Sequence, residues 1–269
     1  MSGSRFIGIL PAAGLGSRLN PMTCPKELLP IAFVTEPETG AVRPIMAVQY
    51  ALLAMRDAGV PRCIVVTSDR KPEMLRYLGN GADVGVSLAY VNQPEPLGLA
   101  AAVDAAFDWV SDCNVCLALP DTVFTPSESL GVVRATLSQT GADLVLGVFP
   151  SSDPCQLGPV RLDGDQRVIE VQEKPPSTDL RNTWGVAAWT PAFTAFLHRP
   201  LADLRGLSIG HFFNEAIAHG LDVRGVYFAS GAYTDLGTGE RLAAMVFPQG
   251  YSNERPETPL PRARLRSVG

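Results

Sequence analysis

A three-layer α/β/α unit built on a mixed, mostly parallel sheet is what this sequence predicts, on three observations. Short apolar runs bounded by turn residues alternate with longer segments of helical periodicity, the pattern of βαβ units. Of 269 residues, 46% are hydrophobic and 18% charged, a balance that fills a core and does not fit a disordered chain. Gly 25 and Pro 23, without collagen-like or low-complexity periodicity, mark many tight connections between short elements. In such a Rossmann-like layout the loops carry the chemistry.

Phe6 to Pro11 is the first predicted strand, followed by a long polar loop and a helix from about Ile45 to Ala58. A strand over Cys63 to Thr67, a helix near Pro72 to Leu78 and a strand near Val86 to Val91 come next. The alanine-rich stretch Leu99 to Val110 reads as one helix, and the apolar run Val115 to Leu119 as a buried strand ending at Pro120-Asp121. A helix over roughly Ser127 to Gln139 leads to a strand over Asp143 to Phe149. The texture then changes: Val160 to Leu162 and Val168 to Val171 flank Asp163-Gly164-Asp165-Gln166, a turn of hairpin type. A strand near Gly185 to Trp189, a helix near Ile209 to His219, a strand near Val223 to Phe228 and a helix from Glu240 to Val246 complete the folded part. Residues 248–269 shift to Pro256, Pro259 and Pro261 with Arg262, Arg264 and Arg266, and are expected to form a loosely attached tail.

With 22 Lys and Arg against 27 Asp and Glu, the net charge of −5 gives no general reason to expect nucleic acid or an anionic membrane as partner. No segment approaches the roughly 20 consecutive apolar residues of a membrane span, and the chain runs from Met1 into its first strand without a signal peptide's apolar stretch, so a cytoplasmic protein is expected. Five scattered cysteines fit a reducing compartment better than a disulfide framework. Cys113 and Cys116 form a C-x-x-C, but no second pair of ligands accompanies them, so they read as core residues.

The most informative stretch runs from Pro11 to Pro30. It begins where the first strand ends, the place at which open α/β sheets bind ligands. Gly14 and Gly16 let the backbone approach a phosphate, successive N–H groups in such a turn form an anion-binding concavity, and Arg18 and Lys26 add two cations. A dinucleotide fingerprint would need a third glycine where Leu19 stands and an immediate helix, which Pro21, Pro25 and Pro30 oppose; a Walker A loop would need Gly-Lys-Ser or Gly-Lys-Thr. A polyphosphate cradle remains.

This loop resembles the signature of the sugar-phosphate nucleotidylyltransferases, G-x-G-x-R-x-x-P-x-T followed by P-K-x-L-x-P. Four further segments follow in that family's order: Gln93 to Ala100, Leu119 to Phe124, Glu173-Lys174-Pro175 and Tyr233 to Thr238. The resemblance covers roughly residues 5 to 247. It implies the nucleotide-diphospho-sugar transferase fold as one domain over 1–247, with a nucleotide-binding part to about 125 and a sugar-phosphate-binding part over about 126–247. It implies that a sugar 1-phosphate attacks the α-phosphorus of a nucleoside triphosphate and releases pyrophosphate. The three histidines, His198, His211 and His219, all lie outside the motifs. The nucleophile needs no general base, because a phosphate monoester with a second pKa of about 6 is already ionised.

By the same resemblance Asp121 and Asp235 are the carboxylates for Mg²⁺, Arg18 and Lys26 lie at the triphosphate, and Lys174 lies at the sugar phosphate. Ala13, Gly14, Gly16, Ser17, Gln93 and Gly98 contact the nucleotide, and Gly158, Glu173, Asn182 and Gly185 the sugar. The segment around Gln93 resembles the thymidylyl and uridylyl members, whose glutamine reads N3–H and O4 of a pyrimidine, so dTTP or UTP is expected. A guanylyl- or cytidylyltransferase and a non-catalytic binder of nucleotide sugar are the alternatives within this layout, and a homo-oligomer is compatible with it. A metal-dependent glycosyltransferase would use a D-x-D motif, which Asp163-Gly164-Asp165 matches in form. Two departures stand out: only Cys24 separates Thr23 from Pro25-Lys26, where the family usually has a few residues, and Pro120 precedes Asp121 where glycine is common. No β-helix repeat follows residue 247, so an added acyltransferase-type domain is not expected.

Overall fold

The computed structural model describes residues 5–246 apart from 20, 21, 23 and 37. The tail predicted over 248–269 lies outside the described residues. Strand β1 (Phe6–Pro11) is followed by a ribbon of β2 (Pro30–Thr35) and β3 (Val42–Met46), then α1 (Ala47–Asp57), β4 (Arg62–Thr67), α2 (Pro72–Leu78) and β5 (Ser87–Asn92). Helices α3 (Leu99–Asp104) and α4 (Phe107–Val110) lead to β6 (Asn114–Ala118), β7 (Thr122–Thr125), α5 (Ser129–Thr140) and β8 (Leu144–Pro150). The remainder comprises β9 (Val160–Leu162), β10 (Val168–Val171), β11 (Asn182–Trp189), α6 (Pro191–Leu197), α7 (Leu201–Leu204), α8 (Ile209–Ala218), β12 (Val223–Tyr227), β13 (Ala232–Asp235) and α9 (Gly239–Val246).

Seven strands form the central sheet in the order β12-β8-β11-β6-β1-β4-β5. Only β11 runs antiparallel to its neighbours, so the sheet is mixed and mostly parallel, as the alternation of apolar runs and helices predicts. Successive residues of a strand face opposite sides, and each side of this sheet is packed. Ile9 joins the layer of α3, α6 and α8 through Ala100, Phe193 and Phe212, whereas Leu10 joins that of α1, α2 and α5 through Leu52, Met74 and Val133. Cys113 and Cys116 are buried in these two opposite layers, which is the core reading of their spacing. Among the described residues no helix is long and apolar enough to cross a membrane.

Three expectations need correction. The long polar loop contains the β2–β3 ribbon, whose residues are mostly exposed, so no buried-face alternation announces it. The alanine-rich helix is broken at Ala105-Ala106 into α3 and α4. Helices α6 and α7 and the pair β7–β13 are additional elements. The D-x-D form is the hairpin turn that its sequence predicts: Asp163 Oδ1 accepts from the backbone N–H groups of Asp165 and Arg167, both at 2.8 Å, which spends that oxygen on the hairpin.

Gly185 is fixed by packing. A Cβ there would stand 2.5 Å from the Tyr233 ring and 3.0 Å from Phe149. Gly185→Ala should therefore lower the urea midpoint, with a loss of about 1–3 kcal/mol typical of overpacking; an unchanged midpoint would show that this contact yields freely.

Candidate active site

The parallel strands β1, β4, β5 and β6 end on one edge of the sheet, and β1 lies between β4 and β6. Chain leaving β1 crosses this edge where connections diverge to either side, the crevice at which α/β sheets bind ligands. A cavity of about 410 Å³ lies there, lined by Ala13, Gly14, Lys26, Gln93, Gly98 and Asp121. A neighbouring cleft of about 500 Å³ is lined by Arg18, Gly98, Asp121, Gly158, Glu173, Lys174 and Asp235. Both share Gly98, Leu99, Leu119 and Asp121, so Asp121 stands at their junction.

Strand pairing brings the two aspartates together. Asp121 follows β6, and the antiparallel pair β13–β7 sets Asp235 opposite Thr122, the next residue along. The Leu236 N–H donates to the Asp121 carbonyl at 3.0 Å, and the Gly237 N–H to Asp235 Oδ1 at 2.7 Å. Gly237 must lack a side chain, because a Cβ there would meet the Arg18 guanidinium at 2.5 Å.

Cations surround both carboxylates. Lys26 donates to Asp121 Oδ2 in a tight ion pair. Arg18 reaches Asp235 Oδ2 at 3.7 Å, from a 3₁₀ turn that begins at Ser17. The one-residue spacer before Pro25-Lys26 thus leaves Lys26 at the carboxylates. Arg241, on α9, donates to Asp235 Oδ2 at 3.3 Å and to Asp153 Oδ2 at 2.8 Å. Sequence reasoning missed Arg241 because an arginine three residues after Thr238 reads as an ordinary helix surface residue.

Gln93 is buried, its N–H donates to the Thr67 carbonyl at 2.7 Å, and its Nε2 has no protein partner among the described residues. Gly98 takes φ +105°, a conformation L residues rarely adopt, as it turns the chain into α3. Gly16 lies between the cavity-lining residues and Arg18, its backbone beside the Lys26 chain. Lys174 holds φ +42°, a left-handed conformation that is costly for a residue with a side chain and is found at sites that over-determine it. Burial pushes the Glu173 carboxyl above the ordinary carboxylate range, against the opposing pull of Lys174 and a hydrogen bond from Ser208.

Two proposed sugar contacts stand elsewhere. Asn182 spends its amide on β9, Nδ2 donating to the Val160 carbonyl at 2.9 Å and Oδ1 accepting from its N–H at 2.8 Å. Gly185 faces Tyr233 and does not line the cleft. Both residue types suit a sugar, and both are used here to hold β11 in place.

Burial opposes the charge on Lys26, and Asp121, with smaller help from Glu27 and Asp235, more than compensates, so its pKa lies above the ordinary lysine value of 10.5. The stability gained from this pair is fully present below pH 10.5 and lost as pH rises through the higher folded value. Lys26 therefore stays charged at neutral pH. Chemical denaturation should show a Lys26→Met stability deficit that is constant from pH 6 to 9 and shrinks only above about pH 10.5; a deficit that shrinks near neutrality would contradict the pairing.

The family model described as nucleotidyl transferase matches residues 7–246, and the chain belongs to that family. A glucose-1-phosphate thymidylyltransferase of Streptomyces antibioticus is 30% identical over 231 residues, covering 84% of this chain and 61% of the relative. One from Neisseria meningitidis serogroup A is 30% identical over 177 residues, 64% of this chain and 57% of the relative. The low-salt glycan biosynthesis nucleotidyltransferase Agl11 of Haloferax volcanii is 32% identical over 192 residues, 69% of this chain and 49% of the relative. The matched part thus spans about half to three-fifths of these relatives. A Bacillus anthracis chain assigned as a glucose-1-phosphate thymidylyltransferase and crystallised with sucrose has the same fold, with a TM-score of 0.78 at 21% identity over 90% of this chain and 94% of that one.

Proposed function

We propose that the chain is a sugar-1-phosphate nucleotidylyltransferase, joining a nucleoside triphosphate to a sugar 1-phosphate such as glucose 1-phosphate. The observation that carries this reading is the meeting of two cavities at Asp121, one walled by Gln93 and the other by Lys174. Their junction holds carboxylates and cations. That composition suits a reaction whose nucleophile is already ionised and whose demands are alignment and charge neutralisation.

The curated relatives named as thymidylyltransferases support the same reading. Lys26 and Arg18 stabilise charge building on the departing pyrophosphate, and Lys174 holds the sugar phosphate in line. Asp121 and Asp235 are hard oxygen donors, and among the described residues no third His, Cys, Asp or Glu completes an all-protein cage. A pair of this kind suits Mg²⁺, which keeps much of its shell for water and phosphate oxygens. Asp121 and Asp235 would hold the cation, whose charge would offset the repulsion between the two anionic substrates. The buried, unpartnered Nε2 of Gln93 calls for an acceptor such as O4 of thymine or uracil, while the amide oxygen can take N3–H, which supports dTTP or UTP. The carboxylate of Glu173 and the backbone at Gly158 serve the sugar hydroxyls.

Pyrophosphate release with Mg²⁺ over a grid of triphosphates and sugar 1-phosphates tests the activity. Turnover is expected with dTTP or UTP and a hexose 1-phosphate; silence across the grid, with nucleotide sugar still binding, would mark a non-catalytic binder. In the same assay Asp121→Asn and Asp235→Asn should each lower turnover by at least about 100-fold, the scale of losing a key electrostatic group. Near-normal turnover in either variant would remove that aspartate from the metal site. Gln93→Glu should alter base preference more than rate, and equal losses with every triphosphate would contradict its role.

A further inference from the structure

Among the described residues, Glu27 and Lys71 are the two buried charged side chains. Lys71 Nζ donates to Glu27 Oε1 at 2.8 Å, to Glu27 Oε2 at 3.0 Å and to the Ala12 carbonyl at 2.7 Å, which uses its three protons. Burying two charges gains little stability over a well-packed apolar pair, so stability alone does not account for this arrangement.

The three acceptors have a common significance. Ala12 and Glu27 are the two ends of the phosphate loop, and one ammonium grips both. At one end, Ala12 continues β1 through its N–H to the Val66 carbonyl and leads into Ala13 and Gly14 of the cavity wall. At the other, Glu27 is the neighbour of Lys26, the residue seated on Asp121. Between them Gly14, Leu15 and Arg18 are exposed, so the loop has little burial of its own to hold its shape. Lys71 approaches from the turn before α2, where its N–H donates to the Ser68 carbonyl at 3.0 Å.

Resting on the nucleotidyl-transfer reading above, we propose that Lys71 is a positioning residue that clamps both ends of the triphosphate loop and, through Glu27, sets Lys26 on Asp121. Lys71 touches neither cavity and acts through the loop.

The test compares Lys71→Met, Lys71→Arg and Glu27→Gln with wild type by steady-state kinetics, together with hydrogen exchange over residues 12–27. Arg199→Met, which breaks the Arg199–Glu215 pair away from the site, is the control. Lys71→Met should lower kcat by about 10- to 100-fold, the scale of a small misplacement of a catalytic group, and raise KM for the triphosphate while leaving KM for the sugar phosphate unchanged. Glu27→Gln should show the same split in smaller measure, Lys71→Arg should recover part of the loss, and the control should match wild type. Lys71→Met and Glu27→Gln should both speed amide exchange between Gly14 and Lys26. Wild-type kcat and KM in a folded Lys71→Met protein, even with a lowered Tm, would overturn the proposal. If Lys71→Met does not fold, wild-type kinetics in Glu27→Gln would do so. If wild type itself shows no turnover on any substrate pair, the catalytic reading fails instead, and unchanged exchange over residues 12–27 in the folded variants would still overturn the clamp.

Discussion

Asp121 and Asp235 are held side by side by the pairing of two short strands, and like charges placed so close repel. The protein offsets that repulsion with Lys26 on one carboxylate and Arg18 and Arg241 on the other. Each of these cations comes from a different part of the chain: Lys26 from the end of the phosphate loop, Arg18 from its middle, Arg241 from α9. The carboxylates therefore act as the point on which separate segments converge.

The sheet supplies the frame for this convergence. Four parallel strands deliver their loops to one edge, and the antiparallel β11 carries the wall beneath the second cleft, with Trp184 and Thr183 in its lining. Gly158 lets Trp184 of that wall, and Gly185 lets Tyr233, pack closely against the backbone. Below the phosphate loop the Lys71–Glu27 pair closes the frame on the other side. Burial pushes the Glu27 carboxyl above the ordinary carboxylate range, and Lys71 pulls it back. Removing one partner of such a pair typically costs about 3–5 kcal/mol, because the other charge is left buried alone. Stability and site geometry are thus linked at these two residues.

What can be read from the sequence is what is local in it. The phosphate loop, the apolar strands β1, β4, β6 and β8, and the Glu173-Lys174 segment each carry their signal within a few residues, and the structure brings most of the residues named from them to one crevice. The β2–β3 ribbon is invisible because both its faces are exposed, so nothing alternates. The pair β7–β13 joins four-residue strands far apart in the chain, and no periodicity builds up over so short a run. Lys71 and Arg241 gain their meaning only from distant partners. Asn182 and Gly185 mark the opposite case, in which a residue type that suits a ligand is committed to strand pairing and ring packing.

The proposed chemistry requires that Asp121 and Asp235 together hold one divalent cation. Electron paramagnetic resonance of Mn²⁺, titrated into the protein with a non-hydrolysable triphosphate analogue and a sugar 1-phosphate, tests it most directly. A single tight Mn²⁺ site is expected in wild type, lost in both Asp121→Asn and Asp235→Asn. Retention of that site at wild-type affinity in either variant would contradict it.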